Sequence, residues 1–248
     1  MKIFVINLKS RTDRRSNMEN QLRREKLAYE IVEATEPSDI PRGEIHDVYS
    51  RGSMYQPNEI ACSASHRSIY ARMMRENIEK AMIFEDNVVI PVNFSKVFEA
   101  LDKRKYNDID WLQIDYPSSG FGFIRQWLKT YGDFFDLKIK YIAKFFIIFP
   151  AVVVLALYEQ ILLWFVANTV QSRVPTVVRF YRDVYSASCY IVTKQAAEKL
   201  YKAQTPLTYT ADKLPNTLKK DGFVIRICIP RFVYQNNEAF GSNLAPRD

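Results

Sequence analysis

Four apolar residues near the start of the chain, Ile3-Phe4-Val5-Ile6, form a run too short for a helix and predict a buried strand. Residues 7–15 are polar, and Asp13 is placed to cap a helix running to about residue 26. Tyr29-Glu30-Ile31-Val32 predicts a second strand. Residues 35–58 carry Pro37, Pro41, Gly43, Gly52 and Pro57 and read as loop. Over 59–79, Ile60, Ala64, Ile69, Met73 and Met74 return at helical spacing. Ala81-Met82-Ile83-Phe84 is again a strand, and it runs straight into Glu85-Asp86-Asn87. Val88-Val89-Ile90 resumes the apolar run until Pro91 stops it. A helix over 94–101 and a strand at Trp111-Leu112-Gln113-Ile114 follow. Strands alternating with helices predict an α/β sheet with parallel strands in this half.

The pattern changes over 117–183. Gly120, Gly122 and Phe123 mark a loop, and residues 145–167 are apolar apart from Pro150, Glu159 and Gln160. Lys138, Lys140 and Lys144 precede that stretch, and Arg173, Arg179 and Arg182 follow it. Its length matches the roughly 20 residues that cross a bilayer. A crossing helix would put the two halves of one domain on opposite sides of the membrane, so that reading is rejected. Three readings stay open: a buried helical pair, a homodimer surface, or a monotopic element resting on the inner leaflet. Alternation returns with a strand at Tyr190-Ile191-Val192, a helix over 194–202 and a strand over 223–227. The tail from residue 236 is polar. The expected organisation is a first half at 1–116, an apolar helical insert at 117–183, and the second half of the same domain at 184–248.

Composition narrows the class. The chain has 248 residues, 48% hydrophobic and 25% charged, the balance of a folded domain rather than a disordered one. Its net charge of +7 points to polyanionic partners: nucleic acid, an anionic membrane or a phosphorylated glycolipid. No glycine-aromatic RNA motif, zinc finger or basic zipper is visible, so nucleic acid is not expected. Cys62, Cys189 and Cys228 lie far apart without a CxxC pair, which predicts reduced thiols. No export signal is visible around the first strand, so the cytoplasm is the expected compartment.

Glu85-Asp86-Asn87 is the most informative local feature. Open α/β sheets bind ligands at the C-terminal ends of their strands, and here a strand delivers acidic groups to that end. Residues 85 and 87 share one face of an extended chain and 86 takes the other. A hard divalent cation takes oxygen ligands and would offset charge on a departing phosphate group. The plain alternative is a solvated acidic turn. Asp115 follows the 111–114 strand in the same way. Ser65 and His66 adjoin on the 59–79 helix, where neighbours do not face each other, and no nucleophile elbow is present. Serine-hydrolase chemistry is therefore not expected.

Three segments in order carry a resemblance. Phe4-Val5-Ile6-Asn7-Leu8 with Arg11, Asp13, Arg14 and Arg15 resembles the opening of glycosyltransferase family 25. Glu59-Ile60-Ala61-Cys62-Ser63-Ala64-Ser65-His66 is similar to that family's Glu-Ile-Gly-Cys-x-x-Ser-His segment. Met82-Ile83-Phe84-Glu85-Asp86-Asn87-Val88 resembles its apolar strand ending in Glu-Asp-Asp. A weaker match joins Tyr190-Ile191-Val192, Ala196-Ala197, Leu200 and Asp212. The resemblance spans about residues 1–115 and 184–235 and leaves the middle uncovered.

It implies a glycosyltransferase A-type, Rossmann-like sheet flanked by helices, a UDP-sugar donor with galactose foremost, and inversion at the anomeric carbon. A lipooligosaccharide or lipid A-core acceptor is implied as well, and Mn²⁺ or Mg²⁺ at the acidic motif through Glu85 and Asn87. Asn87 stands where the family has Asp, an oxygen ligand without charge, which weakens the case for metal dependence. Ala61 replaces Gly. Donor contacts fall to Asn7, Arg11, Arg14, Ser65, His66 and Asp86, since an arginine fork suits phosphate. The plain alternative for each arginine is a solvated basic turn. Inversion needs a general base, and Asp212 is the candidate with Asp115 the alternative. Two other classes compete: an inactive sugar-binding protein that keeps the fold, and a membrane-associated scaffold built on 145–167.

Overall fold

The computed structural model describes residues 1–41, 56–115, 175–179 and 183–236. They belong to one compact unit that takes in both halves of the chain. The elements are β1 (Lys2–Asn7), α1 (Thr12–Arg24), β2 (Glu30–Glu33), α2 (Pro57–Arg75), β3 (Lys80–Glu85), β4 (Val88–Val89), α3 (Phe94–Lys103) and β5 (Trp111–Gln113). The second half adds β6 (Thr176–Arg179), β7 (Cys189–Thr193), α4 (Lys194–Ala203), the single turn α5 (Leu214–Thr217), β8 (Ile225–Ile229) and β9 (Tyr234–Gln235). The apolar stretch 145–167 lies outside the described residues. Residues 176–179, at the end of the stretch expected to be an insert, form the edge strand of the main sheet.

The expected α/β fold is what forms. A seven-stranded sheet runs in the order β2-β1-β3-β7-β5-β8-β6, and β4 pairs with β9 in a separate two-stranded ribbon. Strands β2, β1 and β3 are parallel, as alternation predicts. β7 then enters antiparallel between β3 and β5, and β6 runs antiparallel to β8. The sheet is therefore mixed, and it interleaves the two halves of the chain. β8 also sits two residues later than its apolar run predicts. The Asp110 carboxylate and backbone carbonyl contacts hold residue 224 just outside the strand.

Strand alternation sorts the core. Ile3 and Val5 of β1, Met82 and Phe84 of β3 and Cys189 and Ile191 of β7 pack with Met18 and Leu22 of α1 and Phe94, Val97 and Leu101 of α3. The opposite face carries Phe4, Ile83, Tyr190 and Trp111, all essentially inaccessible. Helix α2 lies on that side: Arg72 sits over the Phe4 ring, and Tyr70 bonds to Tyr190. Glu85, two residues past Ile83, therefore points toward α2.

Helix ends are satisfied locally. Pro57 opens α2, and Gln56 with Glu59 forms a reciprocal capping box. Thr193 caps α4 by accepting from the Ala196 N–H at 3.2 Å. α1 departs from expectation: Asp13 lies inside its first turn and pairs with Arg11, and no side chain caps the helix. α3 borrows its anion from α1, because buried Glu25 accepts from the N–H groups of Asn93 at 3.2 Å and Ser95 at 3.1 Å. Gln21 holds both Val88 O and Ile90 N, which anchors the segment after the acidic step to α1.

Candidate active site

The C-terminal ends of β1, β3 and β5 and the N-terminal end of β7 meet at one edge of the sheet. Asn7, Glu85, Asp115 and Ser188 all stand there. The acidic step divides as alternation predicts. Asp86 turns toward α1, where Arg14 donates to its Oδ1 at 3.0 Å and Asn7 to its Oδ2 at 2.8 Å. The Arg14 and Asp86 side chains are only 3% and 7% exposed. Burial raises the Asp86 pKa above the ordinary 3.8 despite Arg14 and Asn7. Three predicted site residues thus form one buried cluster. Arg11 keeps a quarter of its side chain exposed and is paired with Asp13 at 2.7 Å.

Glu85 turns the other way and meets α2. Cys62 donates its thiol to Glu85 Oε1 at 3.6 Å, and His66 Nε2 stands 3.6 Å from the same oxygen. Gln235 of β9 donates to Oε2 at 3.0 Å. Burial alone would raise the Glu85 pKa, but His66, Cys62 and Gln235 carry it below its ordinary value. Burial and the Glu85 charge push the Cys62 thiol well up. His66 is 1% exposed, and its Nδ1 lies 2.7 Å from the Tyr190 hydroxyl. Tyr190 in turn meets the Tyr70 hydroxyl at 2.9 Å and stacks on Trp111 with centroids 3.6 Å apart.

Asp115 is 2% exposed and bound on both oxygens. Arg231 donates to Oδ1 at 2.8 Å and the Ser188 hydroxyl donates to Oδ2. Burial raises its pKa against those two partners. Asp212 is half-buried, with Oδ1 held by the Thr210 hydroxyl at 2.6 Å. Its charge reaches Cys62 and helps raise that thiol. Ser63 ties the same loop to α2 by donating to Tyr209 O at 2.9 Å. Ser65 is fully buried, and its hydroxyl serves two backbone groups: it donates to Ala61 O and accepts from Thr35 N.

Sequence reasoning missed Cys62, Tyr190, Ser188, Arg231 and Gln235. A signal existed for the first: Cys62 and His66 are four apart on a predicted helix and so share a face. The others reach the edge only through long-range pairing.

The donor set bears on the hard cation implied at the acidic motif. Both Asp86 oxygens are taken by Asn7 and Arg14. That leaves Glu85, whose Oε1 faces a thiol and an imidazole rather than oxygens, and the neutral amide of Asn87. An all-oxygen cage for Mg²⁺ or Mn²⁺ does not fit these residues, and no step below runs through one.

Comparison with known proteins decides the family. A sequence profile described as "Glycosyltransferase family 25 (LPS biosynthesis protein)" matches residues 1–215. The chain belongs to glycosyltransferase family 25. It is 29% identical over 121 residues to procollagen galactosyltransferase 2 of Homo sapiens, covering 44% of this chain and 19% of that protein. It is 31% identical over 111 residues to a protein of Acanthamoeba polyphaga mimivirus named as a glycosyltransferase, covering 41% of this chain and 34% of that one. The chain thus spans a minor part of these relatives. A solved glycosyltransferase involved in glycosylation of the major capsid of PBCV-1 is similar at 7% identity and a TM-score of 0.43, covering 91% of this chain and 79% of that one.

Proposed function

We propose that this glycosyltransferase moves a sugar, galactose foremost, from a UDP-sugar to a lipooligosaccharide acceptor with inversion, and that Asp212 is the general base. The observation that carries this reading is the contrast among the carboxylates at the sheet edge. Asp86 and Asp115 are buried and committed to Arg14 and Arg231. Asp212 is half-buried and has one oxygen steadied by Thr210. A base must reach a proton on an incoming hydroxyl, so an accessible, oriented carboxylate suits the task. Asp212 would accept that proton as the acceptor oxygen attacks the anomeric carbon and the nucleoside diphosphate leaves. Arg11, the arginine of the first loop that keeps exposure, is the candidate contact for the departing phosphates.

Galactose is supported by the name of the human relative, and the acceptor class by the description of the family. No helix among the described residues is long and apolar enough to cross a membrane. The apolar sequence at 145–167, with basic residues on both sides, is proposed to meet the inner leaflet where a lipid-linked acceptor would lie. The test is release of UDP from a panel of UDP-sugars, with and without de-acylated lipooligosaccharide and with and without Mn²⁺. Acceptor-stimulated release from one sugar establishes transfer and names the donor. Tight UDP binding without release from any donor sinks the catalytic reading in favour of an inactive sugar-binding protein.

A further inference from the structure

The cluster facing Glu85 carries more than the transfer reading uses. Cys62 Sγ, His66 Nε2 and Glu85 Oε1 all lie within 4.8 Å of one another. We propose that these three atoms form a binding site for a borderline-soft divalent cation, Zn²⁺ foremost, with water as the fourth ligand. Two of the three edges fit a tetrahedral site, and the third, Cys62 Sγ to His66 Nε2, lies within 4.8 Å and would draw in on binding. Zinc binds thiolate at about 2.3 Å and imidazole nitrogen or carboxylate oxygen at about 2.0–2.2 Å, so a tetrahedron has edges of about 3.3–3.6 Å. The two edges that end on Glu85 Oε1 are both 3.6 Å. A direct hydrogen bond from the imidazole would be shorter than this.

A second observation points to a ligand. His66 Nε2 is buried and makes no hydrogen bond. Such an atom normally finds a partner or costs free energy. Nδ1, by contrast, is engaged by Tyr190, whose hydroxyl oxygen can accept from Nδ1–H while its O–H donates to the Tyr70 hydroxyl. With the proton on Nδ1, Nε2 carries a lone pair and stands 3.6 Å from Glu85 Oε1. A cation between them and Cys62 would satisfy all three. A metal-bound histidine whose other nitrogen is fixed by a hydrogen bond is the usual arrangement of such sites.

The frame around the ligands is already set. Cys62 and His66 are one helical turn apart on α2, and Gln235 holds Glu85 Oε2, which leaves Oε1 as the single ligating oxygen. The Glu85 side chain is 23% exposed, so an ion can enter from solvent. Binding displaces the Cys62 thiol proton to the buffer and forms a sulfur–metal bond, with no change of oxidation state. Thiolate and imidazole favour zinc over Mg²⁺ or Mn²⁺.

The test reads metal rather than transfer, so it stands whatever the donor panel shows. The full chain is stripped with a chelator and titrated with Co²⁺, which reports thiolate ligation through a near-ultraviolet charge-transfer band. The expected result is one equivalent bound with that band, displaced by Zn²⁺ but not by a large excess of Mn²⁺. Cys62→Ser should lose the band, and His66→Gln should lose tight binding. A second readout needs no variant. Cys189 and Cys228 are wholly inaccessible, so alkylation of the folded wild type reports Cys62, and zinc should suppress it. The proposal is overturned if the wild type takes up no cobalt, if the band survives in Cys62→Ser, or if zinc leaves Cys62 alkylation unchanged.

Discussion

Cutting Asp86 back to Ala tests whether the buried pair beside the acidic step is framework. Arg14 is 2% exposed and its Nη1 is bonded to Asp86. Removing the carboxylate takes the Asp86 counter-charge from a buried guanidinium, and breaking such a pair costs about 3–5 kcal/mol. That is a large share of the roughly 5–15 kcal/mol that holds a domain together. The pKa direction sharpens the expectation. Burial raises Asp86 above 3.8, so desolvation outweighs its attraction to Arg14 and Asn7. A carboxylate whose folded pKa is raised contributes stability that is fully present below 3.8 and is lost as pH rises through the folded pKa. At neutral pH the ionised Asp86 carboxylate is thus less favourable in the fold than in the unfolded chain. Replacing both partners together, Arg14→Met with Asp86→Leu, should be neutral or stabilising by about 1–4 kcal/mol. Asn7, which also donates to Arg11 O at 3.1 Å, keeps a partner available in that variant. Urea unfolding of the wild type, both single variants and the double variant closes the cycle. A single-variant cost of about 1 kcal/mol or less, the range of exposed pairs, would refute the reasoning. So would a double variant as unstable as the sum of the singles.

Three further outcomes follow from the same contacts. Asp212→Asn should lower kcat by about 10²–10⁴-fold while UDP affinity, read by calorimetry, stays unchanged; full turnover in the variant removes Asp212 as the base. Glu25→Gln should cost about 1.5–3 kcal/mol in urea unfolding, because a charged acceptor for two N–H groups of α3 becomes neutral. Burial alone would raise the Glu25 pKa, but Ser95, Arg24 and Asn93 bring it below 4.5. Its stabilisation is therefore present above pH 4.5 and lost as pH falls through the folded value, and the variant should show a shallower acid limb. Tyr190→Phe should cost about 1–3 kcal/mol by leaving the His66 and Tyr70 groups without their shared partner. The ring stacking on Trp111 should persist, read as retention of the tryptophan bands in near-ultraviolet circular dichroism while the tyrosine contribution is lost.

Much of the frame was legible from local pattern. Ile3 to Ile6, Ala81 to Phe84 and Tyr190 to Val192 form the strands that their apolar runs predict. Alternation also separated Asp86 from Glu85 before any contact was known. Local pattern could not place β7. It is written more than a hundred residues after β3, and its direction is set by long-range pairing rather than by its own residues. Nor could pattern say how Ser65 spends its hydroxyl, since Thr35 reaches it from a loop thirty residues away. Asp13 misled because acidic residues suit both the cap and the first turn, and the nearby Arg11 fork decided between them.

The placement of β7 explains why the candidate site needs both halves of the chain. Running antiparallel between β3 and β5, β7 brings Ser186 and Ser188 to the edge where those strands end. It also sets Tyr190 against His66. Asp86 is held within the first half by Arg14 and Asn7, but three other groups of that half find counterparts in the second: Asp115 with Arg231 and Ser188, Glu85 with Gln235, and His66 with Tyr190. Without those partners, Asp115 and His66 would be buried polar groups left unsatisfied, each costing about 1–3 kcal/mol or more. Gln235 holds Oε2 of Glu85 while Oε1 faces Cys62 and His66 of α2. The requirement for fold stability and the geometry of the site are thus met by one set of long-range contacts, so a substitution at Arg231 or Tyr190 should disturb both together.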